Sequence, residues 1–305
     1  MKSERIDRAR GCLLGLAIGD AIGTTVEFKP RGSFTPMTDM VGGGPFQLKV
    51  GEWTDDTSMA LCLGASLLEK GFDLHDQITK YVKWSREGYM SSNGRCFDIG
   101  IATREALSRF NASGNPEAGS TNPRSAGNGC IMRLAPVPIM YVDYPEQAGQ
   151  LSAEQAKTTH GATECIEASQ LFGEILVRAL QGGYSKSQNL VPEIKSSIQY
   201  SSARIQTIAD GAYFEYDSLQ IKGTGYVVDS LEAALWCFHI TDNFKDAVLT
   251  AANLGDDADT TAAITGQIAG AYYGEAGIPQ HWLDKVVMAK EIGEMAEQLS
   301  QAKNE

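Results

Sequence analysis

Apolar residues recur at three- and four-residue spacing through most of the chain, and no segment alternates long enough to read as a sheet strand. The pattern predicts helices over residues 5–22, 54–70, 75–87, 98–110, 146–158, 162–180, 229–239 and 242–253, with one or two amphipathic helices over 279–302. Gly71 is a stop signal for the second helix. Asp229-Ser230-Leu231-Glu232 resembles a capping box and is expected to start its helix. Residues 111–129 form a long loop rich in Asn, Ser, Gly and Pro, followed by an apolar segment over 130–140, and residues 182–200 are polar and peripheral. Short β-branched runs such as Tyr226-Val227-Val228 do not amount to strands. The expected fold class is all-α: a single compact domain of orthogonally packed helices over residues 1–305, with no linker-like composition dividing it.

Glycines break the apolar pattern at a regular interval. Gly11, Gly15, Gly19 and Gly23 repeat every four residues, and so do Gly266, Gly270 and Gly274. Glycine costs helix stability, so two such stripes predict close packing of one helix on the other. Asp20 lies within the first stripe and Glu27 just beyond it; each is either a satisfied core acid or part of a site.

Two polar clusters interrupt the apolar pattern at helix starts. Gly255-Asp256-Asp257-Ala258-Asp259-Thr260-Thr261 and Trp53-Thr54-Asp55-Asp56-Thr57 both crowd carboxylates and hydroxyls just before an apolar helix. Taken one at a time, each is most simply a helix cap. Capping uses one side chain per helix, however, and leaves surplus acids that repel one another. Two clusters of hard oxygen donors fit a two-cation site shared between two helix N-termini. Magnesium or manganese suits them better than zinc, because neither cluster contains His or Cys. Such a pair orients vicinal hydroxyls or phosphates and activates water.

A net charge of −12 on 305 residues argues against nucleic acid or an anionic membrane as the main partner. Cations in the site still leave room for an anionic small ligand. The six cysteines show no zinc-type spacing and are expected to be buried free thiols of a reducing compartment. The apolar run over 12–18 ends at Asp20, too short to span a bilayer, and the first ten residues lack a secretory pattern. No integral membrane association is expected, and the location is expected to be cytoplasmic.

The order of the motifs adds to this. Gly11-Cys12-Leu13-Leu14-Gly15-Leu16-Ala17-Ile18-Gly19-Asp20-Ala21-Ile22-Gly23 is followed by Trp53-Thr54-Asp55-Asp56-Thr57 and Asp98-Ile99-Gly100. Gly127-Asn128-Gly129, Thr159-His160-Gly161 and Gly255-Asp256-Asp257-Ala258-Asp259-Thr260 come next. Over nearly the whole chain this resembles the ADP-ribosylglycohydrolase family, and most of all its bacterial branch, the dinitrogenase reductase-activating glycohydrolases. The resemblance implies an all-α fold with a dinuclear Mg²⁺ or Mn²⁺ cleft. It also implies hydrolysis of the bond between ADP-ribose and an acceptor, in this branch typically a protein arginine, so that the partner is an ADP-ribosylated protein. It implies Thr54, Asp55, Asp56, Asp257, Asp259 and Thr260 as metal ligands, while Asp256 falls where the pattern admits other residues. Asp98 would assist the chemistry, and Glu27 would be an acid near the metals. Ser125, Gly127, Asn128 and Gly129 would hold phosphate, with His160 and Tyr226 lining the cleft. O-linked acceptors, such as serine or a small metabolite, remain open.

Two other readings deserve comparison. Asp257-Ala258-Asp259-Thr260-Thr261 matches the DxDxT nucleophile motif of haloacid-dehalogenase-like phosphatases, but there the motif ends a β-strand near the start of its domain, whereas here it follows a helical pattern near the end. A non-catalytic ADP-ribose binder is the second reading; the full set of candidate ligands together with Asp98 argues against it.

Overall fold

The structure, a computed structural model, describes residues 2–186 and 199–302. Thirteen α-helices and several short 3-10 turns carry the described chain, and its only β-pairing is three isolated bridges. Most of the stretch expected at the periphery, residues 187–198, lies outside the described residues.

The centre is built by α1 (Lys2–Gly23) and α11 (Ala258–Tyr273), which come from opposite ends of the chain and run antiparallel. A β-carbon on Gly11, Gly15, Gly19 or Gly23 would overlap the backbone carbonyl of Gly270, Gly266, Ala262 or Ala258 respectively. The reverse also holds, since a β-carbon on Gly266 or Gly270 would overlap the carbonyl of Gly15 or Gly11. The two stripes therefore face each other in register. They bring the backbones closer than side chains of ordinary size permit, and that packing offsets the low helix propensity of glycine. Because the pair is antiparallel, the C-terminal end of α1 meets the N-terminal end of α11, and every acid near those two ends is gathered in one place.

Around this pair stand α2 (Asp55–Lys70), α3 (Leu74–Glu87), α4 (Ile101–Ser113), α5 (Pro136–Met140), α6 (Pro145–Ala156) and α7 (Thr163–Gln181). The remaining helices are α8 (Ala203–Ala209), α9 (Val227–His239), α10 (Phe244–Ala252), α12 (Gln280–Leu283) and α13 (Ala289–Gln301). α11 is buried over its first fourteen residues, Ala258 to Ala271, so it forms the core together with α1.

Two local expectations need correcting, and one helix was not foreseen. The capping box at Asp229 does not start its helix: α9 begins at Val227, and the Asp229 carboxylate accepts from Arg204 at 3.0 Å and from the Thr224 hydroxyl at 3.1 Å. Asp98 does not open α4, which starts at Ile101 behind Gly100. Asp98 itself has φ 60°, incompatible with a right-handed helix, and this turns its side chain out of the helical path. The short helix α8 follows a polar segment and carried no clear apolar period.

Candidate active site

Two of the helices that start at the site are not capped by their own acids. Asp73 at α3 and Asn243 at α10 cap in the ordinary way, accepting from N–H groups in the first turn. Thr54 at α2 and Asp257 at α11 occupy the same cap position and make no such bond. At α2 the cap comes from another helix. Asp20 of α1 accepts from the Thr54 N–H and hydroxyl, both at 2.9 Å, and from the Thr57 N–H and hydroxyl at 3.1 and 2.6 Å. Asp20 is thus a buried acid with four donors, and burial lifts its pKa to about 6 against those bonds.

With the cap supplied from outside, the other acids turn inward. The Asp56 Oδ2 atom lies 3.4 Å from both the Thr54 and the Thr260 hydroxyls, the latter 204 positions away in sequence. Glu27, Asp98 and Asp259 each bring a carboxylate oxygen within 4.8 Å of the others. Asp257 accepts from the Asn128 side-chain amide at 2.6 Å, and the same amide donates to Ser230 at 2.9 Å. Asp259 also accepts from the Thr260 N–H at 2.8 Å.

The electrostatics of this cluster are unfavourable without a counter-charge. Burial raises the pKa values of Asp55, Asp56 and Asp259 well above the carboxylate range, and neighbouring acids push them further. Burial, then Asp98 and Asp257, lifts Glu27 to about 9, and burial lifts Asp98 to about 7. Among the described residues, neither lysine nor arginine lines the cleft. The Asp56 Oδ1 and Glu27 Oε2 atoms are buried and have no hydrogen-bond donor among the described residues. Buried, donor-less carboxylate oxygens beside threonine hydroxyls fit a divalent cation.

The cleft has a volume of about 770 Å³, the size of a small-molecule site. Glu27, Asp55, Asp98, Asp257, Asp259 and Thr260 line it. Thr54 and Asp56 are buried behind this lining. Gly127, Asn128, Gly129 and His160 line it as well. A β-carbon on Gly129 would press on the His160 ring, so glycine at 129 is what allows the ring to sit there. The Nδ1 atom of His160 pairs with the Thr159 hydroxyl at 2.8 Å. Burial and then the Arg133 charge lower the His160 pKa to about 3, so the ring is neutral at any working pH. Ser125 and Tyr226 line an adjoining depression that shares Gly127 and Gly225 with the main cleft. The Tyr226 hydroxyl donates to Glu164 at 2.6 Å.

The segment from Ser125 to Asn128 is less free than a phosphate cradle made of bare N–H groups. Its N–H groups donate to the carbonyls of Asn122, Pro123, Ser125 and Gly225. Sequence reasoning left the part played by Asp20 open and missed Phe28 and Thr224 on the cleft wall. Asp20 carried a signal, as an acid inside a glycine stripe, whereas nothing in the sequence marks an exposed aromatic as part of a site.

The sequence profile of the ADP-ribosylglycohydrolase family matches residues 1–305. The chain belongs to the ADP-ribosylglycohydrolase family. It is 48% identical over 299 residues to the ADP-ribosylarginine hydrolase Tri1 of Serratia proteamaculans, covering 98% of this chain and 80% of the relative. It is 33% identical to the ADP-ribosyl-[dinitrogen reductase] glycohydrolase of Rhodospirillum rubrum, covering 93% of this chain and 92% of that one. A solved structure described as an ADP-ribosylglycohydrolase-related protein complex superposes with a TM-score of 0.87 at 41% identity, covering 98% of this chain and 99% of its own. As a member of this ADP-ribosylglycohydrolase family, the chain carries its DxDxT-like run on a helix start rather than a strand end, which removes the phosphatase reading. No helix among the described residues is long and apolar enough to cross a membrane.

Proposed function

We propose that the protein hydrolyses the N-glycosidic bond between ADP-ribose and an arginine guanidinium of a modified protein, reversing mono-ADP-ribosylation. The observation that carries this reading is the convergence of Glu27, Asp98 and Asp259 with the two Asp–Thr clusters in one cleft, with buried oxygens that lack donors. The names of the relatives at 48% and 33% identity point to the same bond class.

Thr54, Asp55, Asp56, Asp257, Asp259 and Thr260 would hold two divalent cations, Mg²⁺ or Mn²⁺. Bound there, such cations would supply Lewis acidity and help to fix the substrate in place, which would lower the entropic cost of attack. Asp20 keeps α2 in place, so that Asp55 and Asp56 stay aimed at the cleft. Asn128 fixes Asp257. Asp98, at the solvent side of the triad, faces the anomeric carbon. As a carboxylate it stabilises the cationic sugar that builds up while the C–N bond breaks, and it accepts one proton from the attacking water. The electron pair of the broken bond leaves with the guanidine, which takes up that proton and departs as arginine. Glu27 completes the acidic rim. His160, held neutral, and Ser125, Gly127, Asn128, Gly129 and Tyr226 shape the wall for the ADP moiety. The six cysteines are all unpaired, in keeping with a cytoplasmic site of action.

The test is a panel of ADP-ribosylated arginine, serine and small-metabolite substrates, assayed with Mg²⁺, with Mn²⁺ and with a chelator. Cation-dependent release of ADP-ribose from the arginine substrate supports the reading. Binding of ADP-ribose without turnover of any substrate would overturn it.

A further inference from the structure

We propose that Phe28 and Asp256 form the subsite that receives the guanidinium of the acceptor and select arginine over neutral acceptors; this rests on the function proposed above. Phe28 is 65% exposed although it lines the cleft beside Glu27, Asp55 and Asp98. Its backbone sits at φ 62°, a region that a bulky side chain rarely occupies. Such strain persists only where the surroundings impose it, and it clusters at working sites. Here the partner is visible. The Phe28 N–H donates to the Asp256 carbonyl at 2.7 Å, and the Asp256 N–H returns a bond to the Lys29 carbonyl at 2.8 Å. Asp256 is itself left-handed, at φ 53°, and its exposed side chain lines the same cleft. The two loops that follow α1 and precede α11 are thus tied together through their backbones, and an aromatic residue and an acid of the two tied loops both line the cleft.

The ring is also held in position. Phe28 meets Phe46 edge-on at 6.4 Å, and Phe46 leans on Phe97 at 5.4 Å. Phe97 precedes Asp98 in sequence, so these ring contacts connect Phe28, next to Glu27, with the residue before Asp98. The protein that carries the acceptor stays outside the cleft, so its guanidinium is met by exposed residues of the cleft wall, and Phe28 and Asp256 are two of these. A guanidinium is flat, cationic and weakly hydrated; it stacks on an aromatic face and pairs with a carboxylate. A serine oxygen would gain from neither group.

The test compares steady-state kinetics on ADP-ribosylarginine with the affinity of the Mn²⁺-loaded enzyme for free ADP-ribose, which has no acceptor. The variants are Phe28→Leu, Phe28→Gly, Phe28→Trp and Asp256→Asn. Phe28→Leu and Phe28→Gly are expected to raise KM for ADP-ribosylarginine roughly three- to tenfold. They lower kcat by a smaller factor and leave ADP-ribose affinity unchanged. Phe28→Trp restores KM. Asp256→Asn raises KM and weakens its dependence on salt. Because Phe28→Gly also removes the backbone strain, it should fold at least as stably as the parent, which separates lost recognition from lost structure. A parental KM in Phe28→Leu, or an equal loss of ADP-ribose affinity, would overturn the inference while leaving the proposed hydrolysis standing. A parent enzyme that does not cleave ADP-ribosylarginine would remove both.

Discussion

Thr57 gives both its backbone N–H and its hydroxyl to one oxygen of Asp20, at 3.1 and 2.6 Å. A side chain from the first helix thereby does for α2 what a local cap residue does elsewhere, and the helix's own acids are released from that task. Asp20→Ala removes the acceptor for two buried N–H groups and two hydroxyls. The expected cost is about 1–3 kcal/mol, read as a lower urea midpoint, together with weaker Mn²⁺ binding by calorimetry. A variant with the parental midpoint and parental Mn²⁺ affinity would count against the role given to Asp20.

Gly19 faces the Ala262 carbonyl with no room for a side chain. Gly19→Ala gains helix propensity but forces α1 away from α11 at the end that carries the acids. Overpacking of this kind costs about 1–3 kcal/mol, so the variant should unfold at lower denaturant and lose cation affinity in step. If Gly19→Ala were more stable than the parent, propensity would have won and the two helices would separate at little cost.

How far the chain discloses itself follows from which forces are local. The glycine stripes were legible because their period is helical and their cost demands a reason, and the structure sets them face to face. Helix starts at residues 55 and 74 were legible from ordinary start signals, and Gly71 marks its stop with φ 69°. Asp98 and Asp229 were both misread as helix starts. Both look like caps, but Asp98 is turned into the cleft by a left-handed backbone, and Asp229 is drawn to Arg204 and Thr224. The pairing of Phe28 with Asp256 was not legible at all. It depends on two loop backbones adopting conformations that only their mutual hydrogen bonds sustain.

Asp98 sits within reach of both Glu27 and Asp259 but belongs to neither acid cluster in sequence. Asp98→Ala should therefore leave the candidate cation ligands intact while removing the group proposed to face the anomeric carbon. The expected loss in kcat is roughly 10²–10⁴-fold, with ADP-ribose affinity largely retained by calorimetry. Unchanged turnover would refute its chemical role. A parallel collapse of ADP-ribose affinity would mean that Asp98 acts in binding instead.

The acidic cluster also links stability to pH. Burial raises Asp98 to about 7 and Glu27 to about 9, and it holds Asp55, Asp56 and Asp259 well above the carboxylate range. Between the ordinary value near 4 and the raised ones, the folded chain keeps protons that the unfolded chain has already released. Stability without cations is therefore greatest at the acid end of that window and declines as pH rises through it. Divalent cations bind the ionised carboxylates, so their stabilising effect should grow over the same range. With a chelator present, the melting temperature should be lower at about pH 8.5 than at about pH 5.5, and excess Mn²⁺ should close the gap. Asp56→Asn, which removes one of the buried charges, should flatten the chelated curve. If the chelated protein were instead more stable at the alkaline end, the carboxylates would have to be ionised and satisfied by the protein alone, and the cluster would not need cations to fold around.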